Sequence, residues 1–158
     1  MGVTKTSQRR GGSVIELSLM MPWILFLFVG AFDWGFYAHA LISTESAARV
    51  AVIYAANASG GNVSSSTVCS LALDELKIVA NVSGLASCSG TLNDSQPVVV
   101  SATCPAPTSS LGNLNTVRIS VAYRTLQLIP IPGLLAGKIN LYRVVQMPMK
   151  GNATCTIV

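Results

Sequence analysis

Four cysteines, Cys69, Cys88, Cys104 and Cys155, are the residues of this chain best suited to chemistry. They admit two outcomes, disulfide bonding or thiolate ligation of a metal. The spacing favours the first. No C-x-x-C pair occurs, and the single histidine, His39, lies well upstream beside an apolar segment, so no Cys/His ligand set converges. Two disulfides are expected, and four cysteines leave three pairings open. Catalytic groups are sparse. Asp74 and Glu75 are adjacent, so on a helix they diverge by about 100° and cannot converge as an acid/base pair. The sequence holds no Ser/His/Asp set, no phosphate-binding glycine loop and no metal cluster, so no enzyme, no cofactor and no small-molecule substrate are expected.

A different constellation lies upstream. Gly11 and Gly12 precede Glu16, which stands at the head of the uncharged stretch Leu17 to Phe32. Counting from Ser13 gives twenty residues, enough to cross a bilayer. Nine residues of Leu17 to Phe32 are Leu, Ile, Val or Phe. Each contributes about −0.3 to −0.6 kcal/mol at the helix centre, against about 2.5 to 3.5 kcal/mol for one buried acid, so insertion survives the glutamate. Lys5, Arg9 and Arg10 precede the span with no acidic residue before Glu16. The positive-inside rule then keeps the N-terminus in the cytoplasm and puts the rest of the chain outside, where disulfides form.

These groups must be positioned by few elements. The chain has 158 residues and a formal charge of +4, three of its cations lying in the leader. The remaining Lys and Arg are scattered singly, so no nucleic-acid surface is expected. All four phenylalanines and both tryptophans fall between Trp23 and Phe36, leaving Tyr123 and Tyr142 as the aromatics of the downstream domain. Such a domain has a thin aliphatic core, which two cross-links at about 2 to 4 kcal/mol each would reinforce. Five Asn-x-Ser/Thr triplets, at Asn57, Asn62, Asn81, Asn93 and Asn152, are attributed to the richness in Asn, Ser and Thr, and no glycosylation is expected.

Past the span nothing breaks a helix from Tyr37 to Ala56. Glu45 and Arg49 stand four apart in the favourable order. Ala47, Ala51 and Ala55 continue a stripe of small or modest side chains from Ala31, Gly35, His39 and Ser43. It offers either a face for close helix approach or simply alanine's helix propensity. The helix should stop at Asn57-Ala-Ser-Gly-Gly, with residues 59–66 as a Ser/Gly linker. Thr67 to Val82 places Val68, Leu71, Leu73, Leu76, Val79 and Ala80 opposite Asp74, Glu75 and Lys77, which predicts an amphipathic helix. Strands are predicted over Pro97 to Thr103, Val117 to Leu126 and Ile139 to Met147, the last alternating less cleanly. The breaker-rich Ile129-Pro130-Ile131-Pro132-Gly133 lets the last two lie antiparallel. The expected fold is α+β: a leader (1–11), a transmembrane and extended helix (12–58), the linker, and a domain (67–158) with a short helix on an antiparallel sheet.

Cleavage between Gly11 and Gly12 would make Gly12 the first residue of the mature chain and Glu16 its fifth. This Gly-x-x-x-x-Glu spacing resembles the type IV prepilin processing site. The longer stretch GGSVIELSLMMPWILFLFVGAFDWGFYAHALISTESAARVAV resembles the TadE-like minor pilins of the tight-adherence pilus system. The shared features are the glycine cut site at Gly11, Glu16, a proline within the span at Pro22, and the Ala47-Ala48-Arg49 cluster. Leu17 and Ser18 follow the glutamate where that family commonly carries an aromatic or apolar residue and alanine. VRISVAYRTLQLIPIPGLLAGKINLYRVVQM is similar to the family's closing strands around a proline-containing loop.

The resemblance implies a structural subunit of the inner membrane, trimmed by a prepilin peptidase and working with other pilins and pilus assembly proteins. It also implies that Glu16 pairs with the new α-amine of Gly12 and so sets subunit register. Pro22 lacks an amide hydrogen and would clash with the carbonyl of residue 18, so a kink or local melting is expected there, unless Ser18 instead helps to satisfy the freed backbone groups. Two other readings stay open. A secreted domain could be cut after Ala38-His39-Ala40, leaving Leu41 first. Alternatively, the same anchor could serve a type II secretion pseudopilin or a single-pass binding domain.

Overall fold

The computed structural model describes residues 12–107, 114–126 and 138–158. They form helix α1 (Gly12–Ala56), a 3-10 turn (Ser59–Gly61), strand β1 (Asn62–Val63), helix α2 (Ser65–Leu76), strands β2 (Val98–Thr103), β3 (Thr116–Arg124) and β4 (Asn140–Pro148), a second 3-10 turn (Lys150–Asn152) and strand β5 (Thr156–Ile157). The chain divides into two compact units, Met1–Phe36 and Tyr37–Val158, and the division falls inside α1.

In the first unit the large apolar side chains from Val14 to Phe36, other than the half-buried Val29, lie exposed, Trp23 at 74% and Leu27 at 72%. This part of the helix has no cover within the protein and is long and apolar enough to cross a membrane. Phe28, Phe32 and Phe36 follow one another at four-residue spacing, with ring centroids 6.5 and 4.9 Å apart. The helical assignment runs without interruption through Pro22. Ser18 turns its hydroxyl to the Ile15 carbonyl at 2.8 Å, one turn back from the proline.

In the second unit the remainder of α1 is a core element. Ala40, Thr44, Ala47, Ala48, Ala51, Val52, Ala55 and Ala56 are buried, a spacing of three and four that confines burial to one face. Thr44 satisfies its buried hydroxyl by donating to the Ala40 carbonyl at 2.6 Å. Glu45 and Arg49 pair as predicted, at 2.5 Å. The helix ends where expected, with the Asn57 side chain donating to the Ile53 carbonyl at 2.8 Å.

Residues 59–66, expected as a linker, are structured. They hold the 3-10 turn, β1 and the first residues of α2. Val63 is fully buried, and Ser64 caps α2 by accepting from the Thr67 amide at 3.4 Å. Helix α2 is shorter than the predicted Thr67 to Val82. Lys77 ends it, the Val79 amide bonds the Leu76 carbonyl at 2.9 Å, and Asn81 takes a left-handed φ of 65°. Val68, Leu73, Leu76 and Val79 are buried as the periodicity required, whereas Ala80, beyond the helix, is exposed.

The sheet has the order β2-β3-β4, antiparallel throughout. Val98, Val100 and Ala102 pair with Tyr123, Val121 and Ile119, and Val117, Ile119, Val121 and Tyr123 are all buried. On β4, Leu141 is buried while Tyr142 and Val144 are exposed. Apolar residues at outward positions are why its alternation reads poorly in sequence. A parallel pair, β1 with β5, joins Asn62 to Thr156 and Val63 to Ile157. The proline-rich 129–133 segment lies outside the described residues. The two strands flanking it do pair antiparallel.

Candidate functional site

Both disulfides are closed. Cys69 on α2 bonds Cys88, and Cys104 at the end of β2 bonds Cys155, each with Cα atoms 5.7 Å apart. No described cysteine is left free, so the thiolate-metal alternative has no ligands. The bridges span sequence separations of 19 and 51 residues, and loop-closure entropy assigns them about 3 and about 4 kcal/mol. Asp74 and Glu75 diverge to different partners: Asp74 pairs with Lys77, and Glu75 accepts from the Ser46 hydroxyl at 3.4 Å. His39 is exposed on α1, and the two acids do not converge on it.

Sequence reasoning missed two polar clusters. The Tyr123 hydroxyl reaches the Ala80 carbonyl at 3.0 Å and Asn81 Oδ1 at 3.2 Å, joining the sheet to the loop after α2. Burial pushes its pKa up to about 12. Asp94 takes Lys138 Nζ at 2.6 Å, and Arg124 Nε lies 3.2 Å away, close enough to pair but not aligned as a hydrogen bond. The hydrogen bond from Lys138 holds the Asp94 carboxyl below its ordinary range. Asn93 shapes that loop, its Oδ1 accepting from the Ser95 and Gln96 amides at 2.9 and 2.7 Å. Asx-turn chemistry at Asn93 was the one sequence signal for the second cluster. Among the described residues, neither cluster gathers a catalytic set.

The constellation of Gly12, Glu16 and Pro22 lies at the start of α1, and Gly11 lies outside the described residues. Gly12 opens the helix, and Glu16 follows four residues later, about 6 Å along the axis on the same face. Glu16 is exposed, and among the described residues its carboxylate has no hydrogen-bond or ion-pair partner. The geometry places one acid near the start of an apolar helix. Val14–Ala56 contains an eighteen-residue window of mean hydropathy 2.0, none of it buried within the protein.

These features define a class: a small α+β domain with two disulfides, carried on one N-terminal helix long and apolar enough to cross a membrane. Residues 11–52 match the family described as TadE-like protein. This is the family that the motif resembles, and the match supports a protein associated with tight-adherence pili. It spans Gly11, Glu16, Pro22 and the Ala47-Ala48-Arg49 cluster and ends before the sheet. No curated protein and no solved structure matches the chain.

Proposed function

We propose that this chain is a TadE-like minor pilin or pseudopilin, a non-enzymatic subunit anchored by a single pass in the inner membrane. A prepilin peptidase cuts between Gly11 and Gly12, the leader stays in the cytoplasm, and the disulfide-linked domain lies outside. There it serves the building or anchoring of a tight-adherence pilus. The observation that carries this reading is the family match over residues 11–52, because it begins at the proposed cut site and contains every residue of the motif.

Physical chemistry supplies the role of Glu16. A carboxylate among packed apolar helices needs a partner, and cleavage creates one in the α-amine of Gly12. Satisfied by a neighbouring subunit, that pair fixes the register at which helices associate. Pro22 frees the Ser18 carbonyl from its ordinary helical bond and so supplies a point of bending within the span. The secreted-domain alternative is disfavoured by Ala40, buried at 4% in the core with Tyr37 and Leu41 packed against it. A cut before Leu41 would strip two of these contacts from the domain.

Mass spectrometry of the mature N-terminus tests the reading. A chain beginning at Gly12 is expected, and Gly11→Val should leave the full-length precursor in the membrane. Glu16→Ala should retain cleavage but lose co-purifying pilus components. A Gly11→Val variant that still begins at Gly12, or a chain beginning at Leu41, sinks the proposal.

A further inference from the structure

The C-terminal strap, residues 149–158, joins the sheet to the junction between α1 and α2 with little regular structure of its own. At one end the Asn115 amide donates to Asn152 Oδ1 at 2.7 Å, beside the start of β3. At the other, the Val158 amide donates to the Val63 carbonyl at 2.9 Å, and the Val158 carbonyl accepts from the Ser65 amide at 2.9 Å. Between them the Thr154 carbonyl rests on Gly61, where a Cβ would collide with it and where φ is +78°. Cys155 lies between these ties and is bonded to Cys104.

The two disulfides differ in access. Cys88 is buried and its partner Cys69 partly exposed, whereas both cysteines of the other bridge, Cys104 and Cys155, are partly exposed, Cys155 packing against the core as Cys69 does. Thiol–disulfide exchange requires an approaching thiolate, so the bridge with neither cysteine fully buried exchanges first. Beyond Cys155 the strap is tied by hydrogen bonds at Val63 and Ser65. β5 contributes two residues, both exposed, and an isolated pair of that size has no independent stability.

We propose that Cys104–Cys155 is a redox-operated clasp. A dithiol opens it ahead of Cys69–Cys88, and its opening releases β5 from β1 and α2 while the three-stranded sheet stays folded. One thiolate of the dithiol attacks a sulfur of the bridge, the S–S bond breaks, and the departing cysteine takes up a proton. The second thiol then displaces the remaining cysteine. The protein gains two electrons and two protons, and the dithiol leaves as its own disulfide. Because β1 and Ser65 follow directly on the turn that ends α1, the clasp controls the joint at which the long helix hands over to the sheet domain. The proposal does not depend on the pilus reading.

The test uses the full-length chain in detergent micelles, titrated with dithiothreitol without denaturant, then alkylated and mapped by mass spectrometry. Cys104 and Cys155 should be labelled at a dithiothreitol concentration on the order of tenfold below that required for Cys69 and Cys88. Hydrogen exchange in the singly reduced species should be faster at the Ser65 and Val158 amides and unchanged at Ile119 and Val121. Gly61→Ala, which displaces the strap with all cysteines present, should lower the dithiothreitol needed at Cys104–Cys155. Opening of Cys69–Cys88 first, opening of both together, or a singly reduced species that still protects Ser65 and Val158 would each overturn the clasp.

Discussion

At the scale of single residues, Tyr123 shows how one polar contact decides where an element stops. Its ring is an inward position of β3, but its hydroxyl holds the Ala80 carbonyl and Asn81 after α2 has ended. The phenol's pKa is raised to about 12 in the fold against an ordinary 10. A raised folded value means that the stabilisation is complete below pH 10 and is lost as pH climbs from 10 towards 12. Chemical denaturation across that window should show falling stability. Tyr123→Phe should cost about 1 kcal/mol near neutrality by removing a hydrogen bond, and should flatten the alkaline decline. Asp94 works with the opposite sign. Its folded value lies below 3.8, so its contribution is present above pH 3.8 and fades as acid carries the pH through the folded value. The inward face of β3 was legible from alternation. The partner of Tyr123 was not, because a left-handed Asn81 interrupts a run whose apolar spacing reads as continuous helix.

At the scale of elements, α1 resolves an ambiguity that periodicity could not. Ala47, Ala51 and Ala55 could have faced a helix of another chain, but they are fully buried against their own domain. Small side chains there let the domain approach the helix axis closely. Ala51→Leu should therefore overpack the core at about 1 to 3 kcal/mol, whereas Ile42→Ala, at a position 70% exposed, should change stability by less than about 0.5 kcal/mol. Urea denaturation of the intact chain in micelles, followed by tyrosine fluorescence, separates the two. The helices and the three long strands were readable because each carries several turns or alternations of pattern. β1 and β5 were not, since a two-residue pair has no period. Neither was the cysteine pairing, which depends on where β5 returns.

At the scale of the whole molecule, the distribution of aromatic residues divides the labour. Every Phe and Trp lies between Trp23 and Phe36, in a unit whose apolar side chains face outward. The domain that follows relies on alanine, valine and two disulfides. That division has a direction in it. Cross-links at Cys69–Cys88 and Cys104–Cys155 persist in an oxidising compartment, and in the proposed topology the positive-inside rule keeps Arg9 and Arg10, ahead of the apolar helix, on the cytoplasmic side. The two arguments are independent, one resting on redox chemistry and one on insertion, and both support the proposed extracytoplasmic placement of the domain. A fluorescent reporter that matures only in the cytoplasm, fused after Val158, should therefore stay dark. Replacing the leader cations, Lys5→Gln with Arg9→Gln and Arg10→Gln, removes the bias and should raise the bright fraction, with free thiols appearing in the same proportion because the misoriented domain meets a reducing environment. A bright fusion of the unaltered chain would reverse the topology, and a dark fusion whose cysteines all alkylate without denaturant would break the link between orientation and the disulfides.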